Sequence, residues 1–272
     1  MGKFNGILLC TDLDGTLLTT DNRISHGNRR AIEYFKAEGG LFTFATGRCI
    51  NGATLLLEHI KPNVPMVCFN GGAVYDFEND KILYLNTLGK NARRAVEFIY
   101  NNFPYAAIDV ATARENFYCR SNKWLEAHKK LLKLPDNYVD YPDVPDGWVK
   151  VIFMADPDKI ETISRAFAES EFADEFDFVQ SSSAYYEMLP KNTSKGSGLL
   201  RLAEILNVPA EKTVGIGDNY NDIPLITNAQ AGIAVANAVR PALEAADYIT
   251  VDNNSDALKA VIGAIERGII TI

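Results

Sequence analysis

A chain of 272 residues, 47% apolar and 23% charged, has the composition of one large globular domain or two unequal ones. Its net charge of −8 argues against broad binding to nucleic acid or to an anionic membrane, so an anionic ligand has to be drawn in by local positive charge. Cys10, Cys49, Cys68 and Cys119 show no Cys-x-x-Cys spacing, which speaks for reduced thiols and against a disulfide frame or a zinc site. No leader precedes the first apolar run and no stretch reaches membrane-spanning length, so a cytoplasmic protein is expected.

In chain order, the run Ile7-Leu8-Leu9-Cys10 predicts a buried strand of a parallel sheet. It stops at Asp12 and Asp14, whose i, i+2 spacing on extended backbone projects both carboxylates to one side, before a turn at Gly15. Two like charges about 4 Å apart repel by roughly 4 kcal/mol at an effective dielectric of 20, so the pair predicts a bound cation, a shared proton or both. A short hairpin over residues 17–24 and a helix over 26–38 capped by Ser25 follow. Strand 41–45 breaks into Thr46-Gly47-Arg48, a helix is expected over 51–60, and strand 64–69 ends in Asn70-Gly71-Gly72. This βαβαβ rhythm is that of a parallel sheet covered on both faces.

From about residue 86 the pattern changes. Helices over 92–101 and 123–132 alternate with short strands over 106–110 and 116–120, and a Pro-rich connector leads to strand 148–154. Helix 158–170 and strands 176–181 and 184–189 complete a small α+β insert with one sheet face expected to meet solvent. The first rhythm then resumes with helix 196–206, a strand over 213–216 that runs into Gly217-Asp218, short strands 231–236 and 248–251, and a closing helix 256–267.

Several strands of the first kind end in polar residues: Asp12 and Asp14, Thr46, Asn70, Asp218. Ligands of an open parallel sheet bind at the carboxyl ends of its strands, so these tips are expected to converge. Asp218 and Asp222 stand four apart where a helix begins and add to Asp12 an oxygen-only cluster suited to Mg²⁺. Lys195, in Asn192-Thr-Ser-Lys195-Gly196, is placed to neutralise an anionic group, although a lone Lys beside a loop is usually solvated.

Asp12-Leu-Asp14-Gly-Thr16, Thr46-Gly-Arg48, Lys195 and Gly217-Asp218-x-x-Asn221-Asp222 together resemble the four ordered motifs of the haloacid dehalogenase-like phosphatases. The likeness is to their Cof-type branch, which carries a C2-type cap between the second and third motifs; Asn70-Gly71-Gly72 and Ala234-Val-Ala-Asn237-Ala resemble that branch too. The resemblance implies a Rossmann-like three-layer α/β/α core over residues 1–85 and 190–272, with residues 86–189 as an inserted α+β cap that reads the leaving group. It further implies Asp12 as nucleophile, Asp14 as general acid and base, Thr46 and Lys195 beside the phosphoryl group, and Gly47, Arg48, Asn70, Gly71 and Asn221 in substrate binding. Mg²⁺ would be held by Asp12, the backbone carbonyl of Asp14 and Asp218, with Asp222 in support directly or through water.

Candidate substrate contacts of the cap are Arg114, Glu115, Tyr118, Arg120, Tyr185, Tyr186 and Glu187, each read first as surface or cap-core packing, whereas His26, His59 and His128 receive no catalytic role. The expected substrate is a small phosphorylated metabolite, of the sugar-phosphate kind, acted on by a monomer or weak homo-oligomer. Two alternatives stay open: a phosphotransferase or mutase of the same superfamily, and a non-catalytic binder of a phosphorylated metabolite. The joint presence of Asp12 and Asp14 counts against the second.

Overall fold

In the computed structural model, which describes residues 2–272, the first apolar run forms β1 (Leu8–Thr11), buried at all four positions. Ser25 caps α1 (His26–Ala37) by accepting the Asn28 amide at 3.0 Å, and the helix buries Ile32 and Phe35. β2 (Leu41–Phe44) pairs parallel to β1.

The helix expected over 51–60 is only α2 (Ile50–Thr54). The Thr54 hydroxyl bonds back to the Asn51 carbonyl at 2.9 Å, and the amides of His59 and Ile60 both turn to Leu56, so residues 55–60 coil without a regular ladder. β3 (Met66–Cys68) is shorter than the expected 64–69 because Phe69, Asn70 and Gly71 all have positive φ. A hairpin with no counterpart in the sequence reading follows: β4 (Ala73–Asp76) and β5 (Lys81–Leu85) form a three-stranded sheet with β3, its turn folded on the Asp76 carboxylate, which accepts the Glu78 and Asn79 amides.

The insert runs α3 (Ala92–Asn102), β6 (Ala107–Thr112), β7 (Asn116–Arg120), α4 (Lys123–Leu132), β8 (Trp148–Met154), α5 (Pro157–Ala168), β9 (Phe176–Ser182) and β10 (Tyr185–Pro190). Its strands form an antiparallel sheet in the order β7-β6-β8-β10-β9. The chain then returns through α6 (Lys195–Leu206), β11 (Thr213–Gly217), α7 (Ile223–Asn228), β12 (Ala231–Val235), α8 (Arg240–Ala245), β13 (Tyr248–Thr250) and α9 (Ala257–Glu266). A five-stranded parallel sheet results, ordered β13-β12-β11-β1-β2, and a bridge between Ala45 and Val67 extends its direction to β3.

The chain divides into two compact units, Met1–Gly47 with Leu56–Leu83 and Ser194–Ile272, and Arg48–Leu55 with Tyr84–Thr193. The stretch Arg48–Leu55 thus groups with the insert, although it lies between two strands of the other unit in sequence. In the second unit, Ile108, Val110, Phe117, Val151, Phe153 and Met188 pack on one face with Val96, Ile99, Ile163 and Phe167 of α3 and α5. The opposite sheet face, expected to meet solvent, is buried: Leu125 of α4 packs there on Ala107, Tyr118, Ile152 and Met154. That face nevertheless carries Asp109, Lys150 and Glu187, each under a tenth exposed. Alternation of charged and apolar residues misleads here, because the charges are buried as partners and not hydrated.

Candidate active site

The parallel sheet sets the site by where its strands stop. Asp12 follows β1, Thr46 follows β2 and its bridge at Ala45, Asn70 follows β3, and Asp218 follows β11. The carboxylates of Asp12, Asp218 and Asp222 each offer an oxygen within 4.8 Å of the others.

Lys195 is the first residue of α6 and only 1% exposed, against the usual solvated fate of a loop lysine. Its Nζ donates to Asp12 Oδ1 at 2.5 Å and to Asp222 Oδ1 at 2.6 Å. Ser194 and Ser197 close a reciprocal capping box that fixes this first turn. Gly71, at φ +99°, lies so close to that turn that a Cβ would stand 1.9 Å from the Ser194 carbonyl oxygen.

Asp12 and Asp14 differ in burial. β1 ends at Thr11 and the chain turns from Leu13, so strand alternation lapses; Asp12 is 5% exposed while Asp14 faces solvent. The Asp14 side chain is outside the clustered carboxylates, and the expectation for the cation concerned its backbone carbonyl.

Asp222 does not simply share a helix face with Asp218. A tight turn over Tyr220–Asp222 folds its carboxylate back, and Oδ2 accepts the amides of Asp218 and Asn219, each at 3.0 Å. With Lys195 on Oδ1, both oxygens have donors. Asp218 is held from another element: Thr16 Oγ1 donates to its Oδ1 at 2.9 Å, and a Cβ on Gly15, at φ +83°, would meet its Oδ2 at 2.5 Å.

One lysine therefore serves a cluster of three carboxylates, Asp12 and Asp222 buried and Asp218 partly so. Burial and then repulsion from Asp222 raise the Asp12 carboxyl well above its ordinary range, with Lys195 opposing. Asp218 is pushed up to about 6 by burial and by Asp222, against the Thr16 hydrogen bond. Burial disfavours the Lys195 charge, but Asp12 and Asp222 outweigh it and raise its pKa. Excess negative charge on oxygen donors alone, with no His or Cys among them, suits a hard divalent cation.

Thr46 and Asn70 join through the backbone, the Asn70 amide donating to the Thr46 carbonyl at 3.0 Å. Asn221 Nδ2 donates to Asn70 Oδ1 at 3.1 Å, and a Cβ on Gly47 would lie 3.1 Å from that same oxygen. Thr46, Gly47, Asn70, Gly71 and Asn221 thus gather in the first unit with the acids, while Arg48 opens the stretch assigned to the second.

Of the candidate cap residues, Arg120 donates to the carbonyls of Phe103 and Tyr100 and stacks on the Tyr100 ring, and Tyr186 stacks on Phe178; both pack the second unit itself, the reading placed first for them. Glu187 pairs with Lys150 at 3.0 Å and accepts from Ser181 at 2.5 Å. Tyr185 lies edge-on to His128, Tyr118 is buried, and Arg114 and Glu115 are exposed at the β6–β7 turn. Sequence reasoning missed Asp109 and Lys150; a charge inside each of three predicted strands was the available signal.

The sequence model of the haloacid dehalogenase-like hydrolase family matches residues 9–262. A Streptococcus pyogenes protein named as an inferred phosphatase is 28% identical over 262 residues, covering 94% of this chain and 96% of the relative. The 5-amino-6-(5-phospho-D-ribitylamino)uracil phosphatase YcsE of Bacillus subtilis is 26% identical, with 94% of each chain covered. Among solved structures, a haloacid dehalogenase-like hydrolase of Bacteroides thetaiotaomicron superposes with a TM-score of 0.80 at 26% identity, over 96% of this chain and 98% of that one. The order of the motifs, the strand tips that carry them and a match over nearly the whole length lead to one assignment: this chain belongs to the haloacid dehalogenase-like hydrolases, as a phosphatase of their Cof-type branch.

Proposed function

We propose that this chain is a Mg²⁺-dependent phosphomonoester hydrolase acting through a phosphorylated Asp12 on a small metabolite of the sugar-phosphate kind. The observation that carries the reading is Lys195, buried between Asp12 and Asp222 and beside Asp218. A cation of this kind compensates a nucleophilic carboxylate and an arriving phosphoryl group together. The substrate class draws support from YcsE, whose name describes a phosphatase of a 5-phospho-D-ribityl compound.

An Asp12 carboxylate oxygen would form a bond to phosphorus while the bond from phosphorus to the ester oxygen breaks, and Asp14 would give its proton to the departing alkoxide. Asp14 would then take a proton from the water that attacks the aspartyl-phosphate, releasing inorganic phosphate and restoring Asp12. Thr46 and Lys195 would steady the phosphoryl oxygens, with Asn70 and Asn221 keeping the Thr46–Gly47 turn in position.

Asp12 and Asp218 through their carboxylates, and Asp14 through its carbonyl, would hold Mg²⁺. Asp222, with a donor on each oxygen, would keep Lys195 and the Asp218–Asn219 turn in place and not bind the ion itself. When bound, the ion supplies positive charge that lets an anionic nucleophile and a phosphate dianion approach each other.

The test is phosphate release from an aryl phosphate and a panel of sugar and nucleotide phosphates, with and without Mg²⁺, for the native protein and Asp12→Asn. Metal-dependent release that falls by at least about 10³-fold in the variant is expected. Activity that survives in Asp12→Asn would sink the covalent route.

A further inference from the structure

The row of polar strand tips does not stop at Asp218. The next two strands of the sheet, β12 and β13, run out into Asn237 and Asn253. Asn237 Nδ2 donates to the Gly15 carbonyl at 2.8 Å, and its Oδ1 accepts the Asn253 amide at 2.9 Å. Asn253, 4% exposed, donates from Nδ2 to the Leu18 carbonyl at 2.9 Å. Two carboxamides in series thus grip both ends of the Gly15–Leu18 segment. The loop that bears Asn237 holds the following acid as well, since the Val239 amide donates to the Asp218 carbonyl at 2.8 Å.

That segment is what orients the Asp218 carboxylate. Thr16 supplies the hydrogen bond to Oδ1, and Gly15 supplies the surface against which Oδ2 rests. A shift of a few tenths of an ångström in the Gly15 peptide moves both restraints together.

We propose that Asn237 and Asn253 are positioning residues that set divalent-cation affinity by fixing the Gly15–Leu18 segment against Asp218, touching neither cation nor substrate. The inference rests on the reading of Asp218 as a Mg²⁺ ligand. Groups behind a metal ligand commonly change affinity by about 10–100-fold when removed.

Mg²⁺ binding to the substrate-free protein is measured by titration calorimetry for the native chain, Asn237→Asp, Asn237→Ala, Asn253→Ala and the control Asn102→Ala. Asn237→Asp keeps an acceptor for the Asn253 amide but offers the Gly15 carbonyl no donor. Asn102, the last residue of α3 in the second unit, donates to the Phe98 carbonyl, so its loss should leave Mg²⁺ affinity within twofold of native. For Asn237→Asp and Asn237→Ala we expect affinity about 10-fold weaker, with kcat on an aryl phosphate recovering to within about threefold of native at saturating Mg²⁺. The exposed Asn237 leaves little risk of misfolding, which keeps the test valid if the buried Asn253→Ala fails to fold. Native affinity in folded Asn237→Asp and Asn237→Ala overturns the proposal, as does lost activity that excess Mg²⁺ does not restore. A native chain that binds no Mg²⁺ overturns the metal reading itself and this inference with it.

Discussion

Each unit of the molecule buries lysine among carboxylates, and the two do so with different arithmetic. In the first unit Lys195 faces Asp12 and Asp222 directly, with Asp218 alongside. In the second, Lys150 meets Glu187 at 3.0 Å, and Asp109, fully buried, takes two contacts from Asn116 Nδ2 at 3.0 and 3.1 Å. Burial pushes Asp109 up to about 6, a value at which it sheds its charge by taking a proton when conditions allow. The second arrangement is close to self-neutral. The first gathers three carboxyl groups around one lysine at converging strand ends, and that surplus of carboxyls marks it as a place for chemistry. Buried charge by itself does not identify a site; an unbalanced buried charge aimed by several strands does.

Substitutions at three places sharpen or break that comparison. The largest effect is expected from Lys195→Met, which strands Asp12 and Asp222 without a cation. Breaking a buried pair in this way costs about 3–5 kcal/mol, so urea unfolding at pH 7.5 should show a loss of that order. The loss should shrink toward pH 5 as the clustered carboxyls, already raised, take up protons. Mg²⁺ should return part of the stability to Lys195→Met. Unfolding that is blind to Mg²⁺ in this variant would remove the distinction drawn here.

Next comes the Lys150–Glu187 pair. Lys150→Met and Glu187→Leu should each lower stability by roughly 3 kcal/mol, while the double variant Lys150→Met with Glu187→Leu should lie nearer the native chain than either. None of the three should respond to Mg²⁺. Strict additivity in this cycle would mean that the two side chains are not coupled.

The smallest effect belongs to Asp109→Asn. A carboxyl at about 6 when folded, against an ordinary 3.8, keeps in the folded chain a proton that the unfolded chain has lost between those values. Stability from this group is therefore present below about pH 4 and falls as pH rises to about 6. The amide, which does not titrate, should flatten that slope and leave the variant about 1–3 kcal/mol more stable than native at pH 7. An unchanged slope between pH 4 and 6 would show that Asp109 is ionised throughout.

Some of this was legible in the chain. The apolar runs at β1, β2 and β11 and their abrupt polar ends are local facts, and they announced a parallel sheet with Asp12, Thr46 and Asp218 at its working edge. The strands of the insert were legible as well, through their length and spacing. What the tertiary structure alone decided is where each charge ended up. Lys195 is ordinary in its own sequence neighbourhood and buried only because Asp12 stands 183 residues away in the chain. Asp14, alike in sequence to Asp12, is exposed because the backbone turns between them. Asn237 meets Gly15 across 222 residues, and Lys150 meets Glu187 across two strands of one sheet. Backbone preference and apolar periodicity act within a few residues, so one segment reveals them; the burial and pairing of a charge depend on partners that only the folded chain brings near.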